Sequence, residues 1–204
     1  SFKGRIISKL GTALNMIDVF AEFCRKQEII RIDELQEFAN EINDRIIYWD
    51  SIMNEMVRIS NSVLVRNDQI TFDVDAVDKV LDVLCTDSYM SIPNVGLYLQ
   101  FPEMSVKWNG YLLESYLYKY SKLFRLVHIG FSTKDYCGIM VRRASPFLDY
   151  EEVVVDFLSH SQDWNTKEEV LALLVEQGFQ KRKKYTGIEA LMQKAKPLKT
   201  VLNE

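Results

Sequence analysis

The chain has 204 residues, 48% of them hydrophobic and 26% charged, with a formal net charge of −4. That length and apolar share suffice for one large domain or two to three small ones, and exclude a disordered tail. The negative balance excludes a globally basic, non-specific polyanion binder, and no apolar run reaches the roughly 18–20 residues of a membrane span.

The first 25 residues hold an amphipathic stretch over residues 6–25, with Leu10, Leu14, Ile17, Phe20 and Phe23 at helical spacing. A β-like piece follows at residues 29–32, and Asp33 is the expected N-cap of a helix over "ELQEFANEI". "DRIIYWDSIMNEMVRI" predicts a further helix with Ile52, Met53, Met56 and Val57 on its apolar face. Two β-like runs, "SVLV" and "QITF", then flank the turn-prone Arg66-Asn67-Asp68. The same order returns: a helix over 74–85, a strand over 89–92, helices near 95–100 and over 108–120, then strands over 124–131 and 136–142. The last pair flanks Ser132-Thr133-Lys134-Asp135. Past Ser145 the pattern is helical only, in "DYEEVVVDFLSHS", "NTKEEVLALLVEQG" and "TGIEALMQKAK".

The repetition shows in single residues. Cys24 and Cys85 hold matching places near a helix end. Trp49-Asp50-Ser51-Ile52-Met53 matches Trp108-Asn109-Gly110-Tyr111-Leu112, and Glu55 matches Glu114. Helix, strand, helix, helix, hairpin resembles the element order of winged-helix domains. The expected fold is therefore mainly α with small β-hairpins (α+β). Residues 1–73 and 74–145 form winged-helix-like units, and residues 146–204 a C-terminal helical domain, a degenerate winged helix being one form of it. The linker falls near residues 144–146.

Catalytic chemistry finds no foothold. There is no phosphate-binding glycine loop, no nucleophile elbow and no metal-ligand set, so neither a catalytic residue nor a cofactor is expected. Cys137 and His128 read as a buried hydrophobe and a strand residue rather than a nucleophile and its base. Asp73, Asp75, Glu151 and Glu152 stand at helix starts, where unpaired N–H groups and the helix dipole favour carboxylates. Three scattered cysteines without a CxxC pair fit reduced thiols in a cytoplasmic chain, or a nuclear one in a eukaryote. No secretory signal is visible, and a start at Ser1 rather than Met suggests a fragment or processed form.

Charge is unevenly placed. Residues 1–80 carry 10 Lys/Arg against 14 Asp/Glu, whereas residues 107–143 carry 7 against 2. On a helical wheel of the 108–122 segment, Leu113, Leu117 and Tyr120 form an apolar stripe continued by Phe124 and bordered by Tyr116. Tyr111, Ser115, Tyr118, Lys119 and Lys122 lie opposite. The winged-helix resemblance places this helix in a DNA major groove, with Lys107, Lys119, Lys122, Arg142 and Arg143 near phosphates and Lys134 on the wing. A second basic locus, Lys181, Arg182, Lys183 and Lys184 beside Tyr185, suits sequence-independent phosphate contact. The expected function is a non-enzymatic DNA-binding module, in transcription control or as an arm of a larger protein. Two alternatives stand beside it. One is a protein-interaction scaffold, with a partner or homodimer on the acidic first unit; the other is an accessory domain of an enzyme whose catalytic part lies outside the chain. No membrane partner is expected.

Overall fold

The computed structural model describes residues 2–3, 6–7, 15–96, 98–161 and 164–202. Two short strands, β1 (Phe2–Lys3) and β2 (Ile6–Ile7), pair antiparallel at the start. The first helix, α1 (Met16–Arg25), begins where the Asn15 side chain accepts the Ile17 N–H at 3.1 Å. The expected helix over 6–25 is thus shortened, and Leu10 and Leu14 lie outside the described residues. Ile17, assigned to the apolar stripe, is 52% exposed, while Phe20 and Cys24 are fully buried.

Strand β3 (Ile29–Arg31) leads into α2 (Ile32–Glu41). Asp33 lies inside the first turn rather than at the cap, and the Glu34 carboxylate accepts the Arg31 N–H at 2.7 Å. Asn43, at a left-handed φ of 58°, turns the chain away after α2, a conformation asparagine tolerates better than most side chains. The next helix, α3 (Trp49–Glu55), stops earlier than its periodicity predicts. Met56 and Val57 instead open strand β4 (Met56–Arg58), which pairs with β5 (Val63–Arg66). The expected hairpin over "SVLV" and "QITF" is corrected accordingly. An apolar run such as Ile52 to Val57 satisfies both a helical and a strand period, and the pairing with β5 decides.

The second half repeats the order with α4 (Val74–Leu84), β6 (Tyr89–Ser91), α5 (Gly110–Lys119), β7 (Phe124–Val127) and β8 (Ile139–Arg142). The helix expected near 95–100 is reduced to two 3-10 turns, Ile92–Val95 and Tyr98–Gln100, the first holding Pro93. Both strands of the second hairpin are shorter than expected, leaving residues 128–138 as an irregular connection. Beyond the β1-β2 pair, the two larger sheets are three-stranded and antiparallel with the same connectivity, β3-β5-β4 and β6-β8-β7. Three helices follow, α6 (Tyr150–His160), α7 (Lys167–Glu176) and α8 (Ile188–Leu202), matching the three helical patterns expected after Ser145. No helix among the described residues is long and apolar enough to cross a membrane.

Strand alternation explains how the parts stack. In the first sheet, Met56 and Leu64 join the core of α1, α2 and α3, while Val57 and Val65 point to the other face and meet Leu112 of α5. In the second sheet, Met140 joins Leu81, Leu113, Leu117 and Phe124, while Val127, Ile139 and Val141 meet Val154, Leu158, Leu174 and Leu191 of the C-terminal helices. Each sheet is therefore buried on both faces, the second face covered by the element group that follows it in sequence. Residues near 144–146 join groups that share a core.

Candidate nucleic-acid interface

The helix expected to read a groove is enclosed. Of α5, Leu112, Leu113, Tyr116 and Leu117 are buried, and so are Glu114 and Ser115. Asn109 starts the helix by accepting the Tyr111 and Leu112 N–H groups, and its own amide donates to the Ile59 carbonyl at 2.8 Å. The Ser115 hydroxyl accepts the Arg58 N–H at 2.9 Å, Tyr118 donates to Asp50 at 3.2 Å, and Lys119 donates to the Asn54 carbonyl at 2.6 Å. The outward-facing polar stripe expected for this helix is corrected at Ser115, which is buried, whereas Tyr118 is half-buried and Lys119 is exposed. The partners of α5 are α3 and β4 of the first unit, whose third helix likewise turns Ser51, Ile52 and Met53 inward.

The remaining basics of the same stretch are mostly engaged too. Lys122 pairs with Asp75 at 2.9 Å. The Arg142 guanidinium holds the Asp82 carboxylate, the carbonyls of Asp82, Cys85 and Asp87, and the Phe124 ring face at 5.2 Å. Arg143, exposed at the surface, donates to the Ser121 carbonyl at 3.3 Å. Buried Asp78 fixes the turn between α5 and β7, accepting from the Tyr116 and Ser121 hydroxyls and the Lys122 and Leu123 N–H groups. Lys107 is exposed beside Trp108, and Lys134 is exposed at the tip of the second hairpin, where its carbonyl accepts the Tyr111 hydroxyl at 2.8 Å.

Arg58, the last residue of β4, is the hub between the hairpins. Its guanidinium is fully buried and donates to the carbonyls of Ser60 (3.1 Å) and Asn61 (3.0 Å) in the first hairpin and of Ser132 (2.6 Å) and Thr133 (2.9 Å) in the second. The Tyr111 and Trp49 rings flank it at 4.2 and 5.6 Å. Burial pulls the Arg58 pKa down while nearby Glu114 offsets part of that; an arginine still keeps its proton. Burial pushes the Glu114 carboxyl up to about 8, against the Cys137 N–H it accepts and the Arg58 charge. Burial likewise raises the Cys137 thiol to about 11, which disfavours its thiolate, and lowers the His128 pKa.

Against this background of paired cations, one cluster has no carboxylate partner. Arg45, Lys181, Arg182 and Lys184 line a cleft of about 510 Å³ together with Trp49, Phe131 and the 129–133 segment. None of the four forms an ion pair among the described residues, whereas Arg25, Arg31, Arg66, Lys122, Arg142, Lys167 and Lys194 all do. Lys181 rests over the Tyr136 ring at 4.9 Å, and Lys183 is exposed beside the cleft. One acid, Asp135, lies on the wall. The fold brings these residues together from three places: the connection between α2 and α3, the tip of the second hairpin, and the connection between α7 and α8. The sequence reading found the last of these and Lys134; Arg45, Trp49 and Phe131 were missed, because nothing local marks them as neighbours. Comparison with family models, curated proteins and solved structures finds no match for this chain.

Proposed function

We propose that this chain is a non-enzymatic nucleic-acid-binding module, built from two winged-helix-like units and a C-terminal helical unit. It grips the phosphate backbone with Arg45, Lys134 and residues 181–184 rather than with α5. The observation that carries this reading is the gathering of otherwise unpaired cations around one aromatic-floored cleft in a chain of net charge −4. Cations without carboxylate partners are free to neutralise phosphates and so release the counterions condensed on the nucleic acid, which is the main source of sequence-independent affinity. The element order helix, strand, helix, helix, hairpin of the first unit returns in the second with two 3-10 turns in place of the middle helix and with the same strand connectivity, which supports the winged-helix comparison. Here the third helices face each other, so binding falls to the hairpin tip and the basic connection.

Fluorescence anisotropy with a labelled duplex and a labelled single strand, at low and moderate salt, tests the reading. Wild-type protein should bind at least one of them in a steeply salt-dependent way. Lys181→Glu/Arg182→Glu/Lys184→Glu should weaken binding by tenfold or more; unchanged affinity in that variant would contradict the assignment. A second reading, a protein-interaction scaffold, is favoured by the engagement of both third helices inside the chain. It requires no salt-dependent affinity for either nucleic acid.

A further inference from the structure

Phosphate contact alone does not call for an aromatic floor, and this cleft has one. Trp49 and Phe131 both line it, half-buried, with ring centroids 6.0 Å apart and planes 37° from each other. Neither ring is a free rotor. The Arg58 guanidinium lies over Trp49 at 5.6 Å, and Phe131 abuts Tyr118 at 5.3 Å and His128 at 4.3 Å. The hub that ties the two hairpins together thus also fixes the floor. Ile47 and Ile129 extend the apolar wall, and the unpaired cations stand around it.

We infer that the cleft takes an unpaired nucleotide of a single-stranded nucleic acid. The base lies against Trp49 and Phe131, and the flanking phosphates meet Arg45, Lys181, Arg182 and Lys184. This rests on the nucleic-acid reading above and sharpens its ligand class. In a duplex each base is stacked on both faces and cannot reach a recessed ring, whereas a single strand offers every base as a π-surface. The volume fits: about 510 Å³ falls within the roughly 300–1,000 Å³ of small-ligand pockets. Asp135 repels phosphate from its own wall, which orients the strand with the backbone toward the cations and the base toward the rings. As an acceptor, that carboxylate also suits an exocyclic amino group better than a carbonyl oxygen.

The test uses the full chain and labelled strands of about 15 nucleotides, within the range of single-strand site sizes. Four probes are compared by anisotropy at one salt concentration: oligo-deoxycytidine, oligo-cytidine, a duplex of the same length, and an abasic strand that keeps the phosphates and lacks the bases. At least one base-bearing single strand should bind about tenfold or more tighter than the abasic strand and the duplex, the effect expected of one stacked base. The tighter of the two identifies the sugar. Phe131→Leu should bring the single-strand affinity toward the abasic value while leaving duplex affinity and melting temperature near wild type. Equal affinity for all four probes, or a base preference that survives Phe131→Leu with the fold intact, overturns the stacked nucleotide and leaves the nucleic-acid reading standing. Binding to none of them overturns both.

Discussion

Two basic regions with similar sequence signatures have opposite fates in the fold. Residues 107–143 hold 7 Lys/Arg against 2 Asp/Glu, and residues 180–199 hold 7 against 1. In the first region Lys119, Lys122, Arg125, Arg142 and Arg143 each reach a carboxylate or a carbonyl of the chain itself. In the second, the side chains of Lys181, Arg182 and Lys184 reach none among the described residues, while Lys194 on α8 pairs with Glu151. The difference lies in what carries the charges. The first set rides on a helix and strand packed on both sides, where a long side chain finds a neighbouring element within reach. The second sits in an irregular connection between helices, with one acid on the cleft wall. Charge density therefore did not distinguish an open cluster of cations from an internal seam; the availability of partners did.

The sharpest way to break that comparison is to remove the hub of the seam. Arg58→Met should cost about 3–5 kcal/mol in urea unfolding, the usual penalty for deleting one member of a buried charged network. A loss near zero would mean the hairpins do not need it. Glu114→Gln addresses the same seam through pH. The native carboxyl titrates near 8 and the unfolded one near its ordinary 4.5, so between those values the folded state binds the extra proton. Wild-type stability should consequently fall as pH rises from about 4.5 to about 8, by on the order of 5 kcal/mol, then level off. The Gln variant should lack that slope and be the more stable protein at pH 9; parallel profiles would place Glu114 in contact with water.

Smaller effects follow on the surface of the seam. A Cβ at Gly110 would overlap the Tyr136 ring, which Tyr111 meets edge-on at 5.0 Å. Gly110→Ala should then destabilise by about 1–3 kcal/mol, as overpacking does, readable as a lower melting temperature. Lys122→Ala removes an exposed, solvent-screened pair with Asp75 and should leave the melting temperature near wild type. It should leave nucleic-acid affinity within a factor of two, and a tenfold loss would return Lys122 to the binding face.

Much of the fold was legible in the sequence, and the reasons are local. The acids Asp73, Asp75, Glu151 and Glu152 mark the starts of α4 and α6 without tertiary help. The first hairpin was not legible, because Met56 and Val57 continue a helical period and only their partners in β5 make them a strand. The site was legible in part. The run at 181–184 stands out as charge, but Arg45 and Trp49 become its neighbours only when the connection after α2 folds against the second hairpin. The burial of Ser115 and Glu114 was hidden for a related reason. Polar residues opposite an apolar stripe read as solvent-facing, and nothing in one helix shows that a second unit will cover them.

The most direct test is the slope of log K against log salt concentration, measured for wild type, Lys181→Ala/Arg182→Ala/Lys184→Ala and Lys119→Ala/Lys122→Ala. If the unpaired cations carry the contact, the cleft variant should lose about 2–3 from the slope and the helix variant should match wild type. A helix variant that loses slope while the cleft variant keeps it would place the interface on α5 and contradict the account.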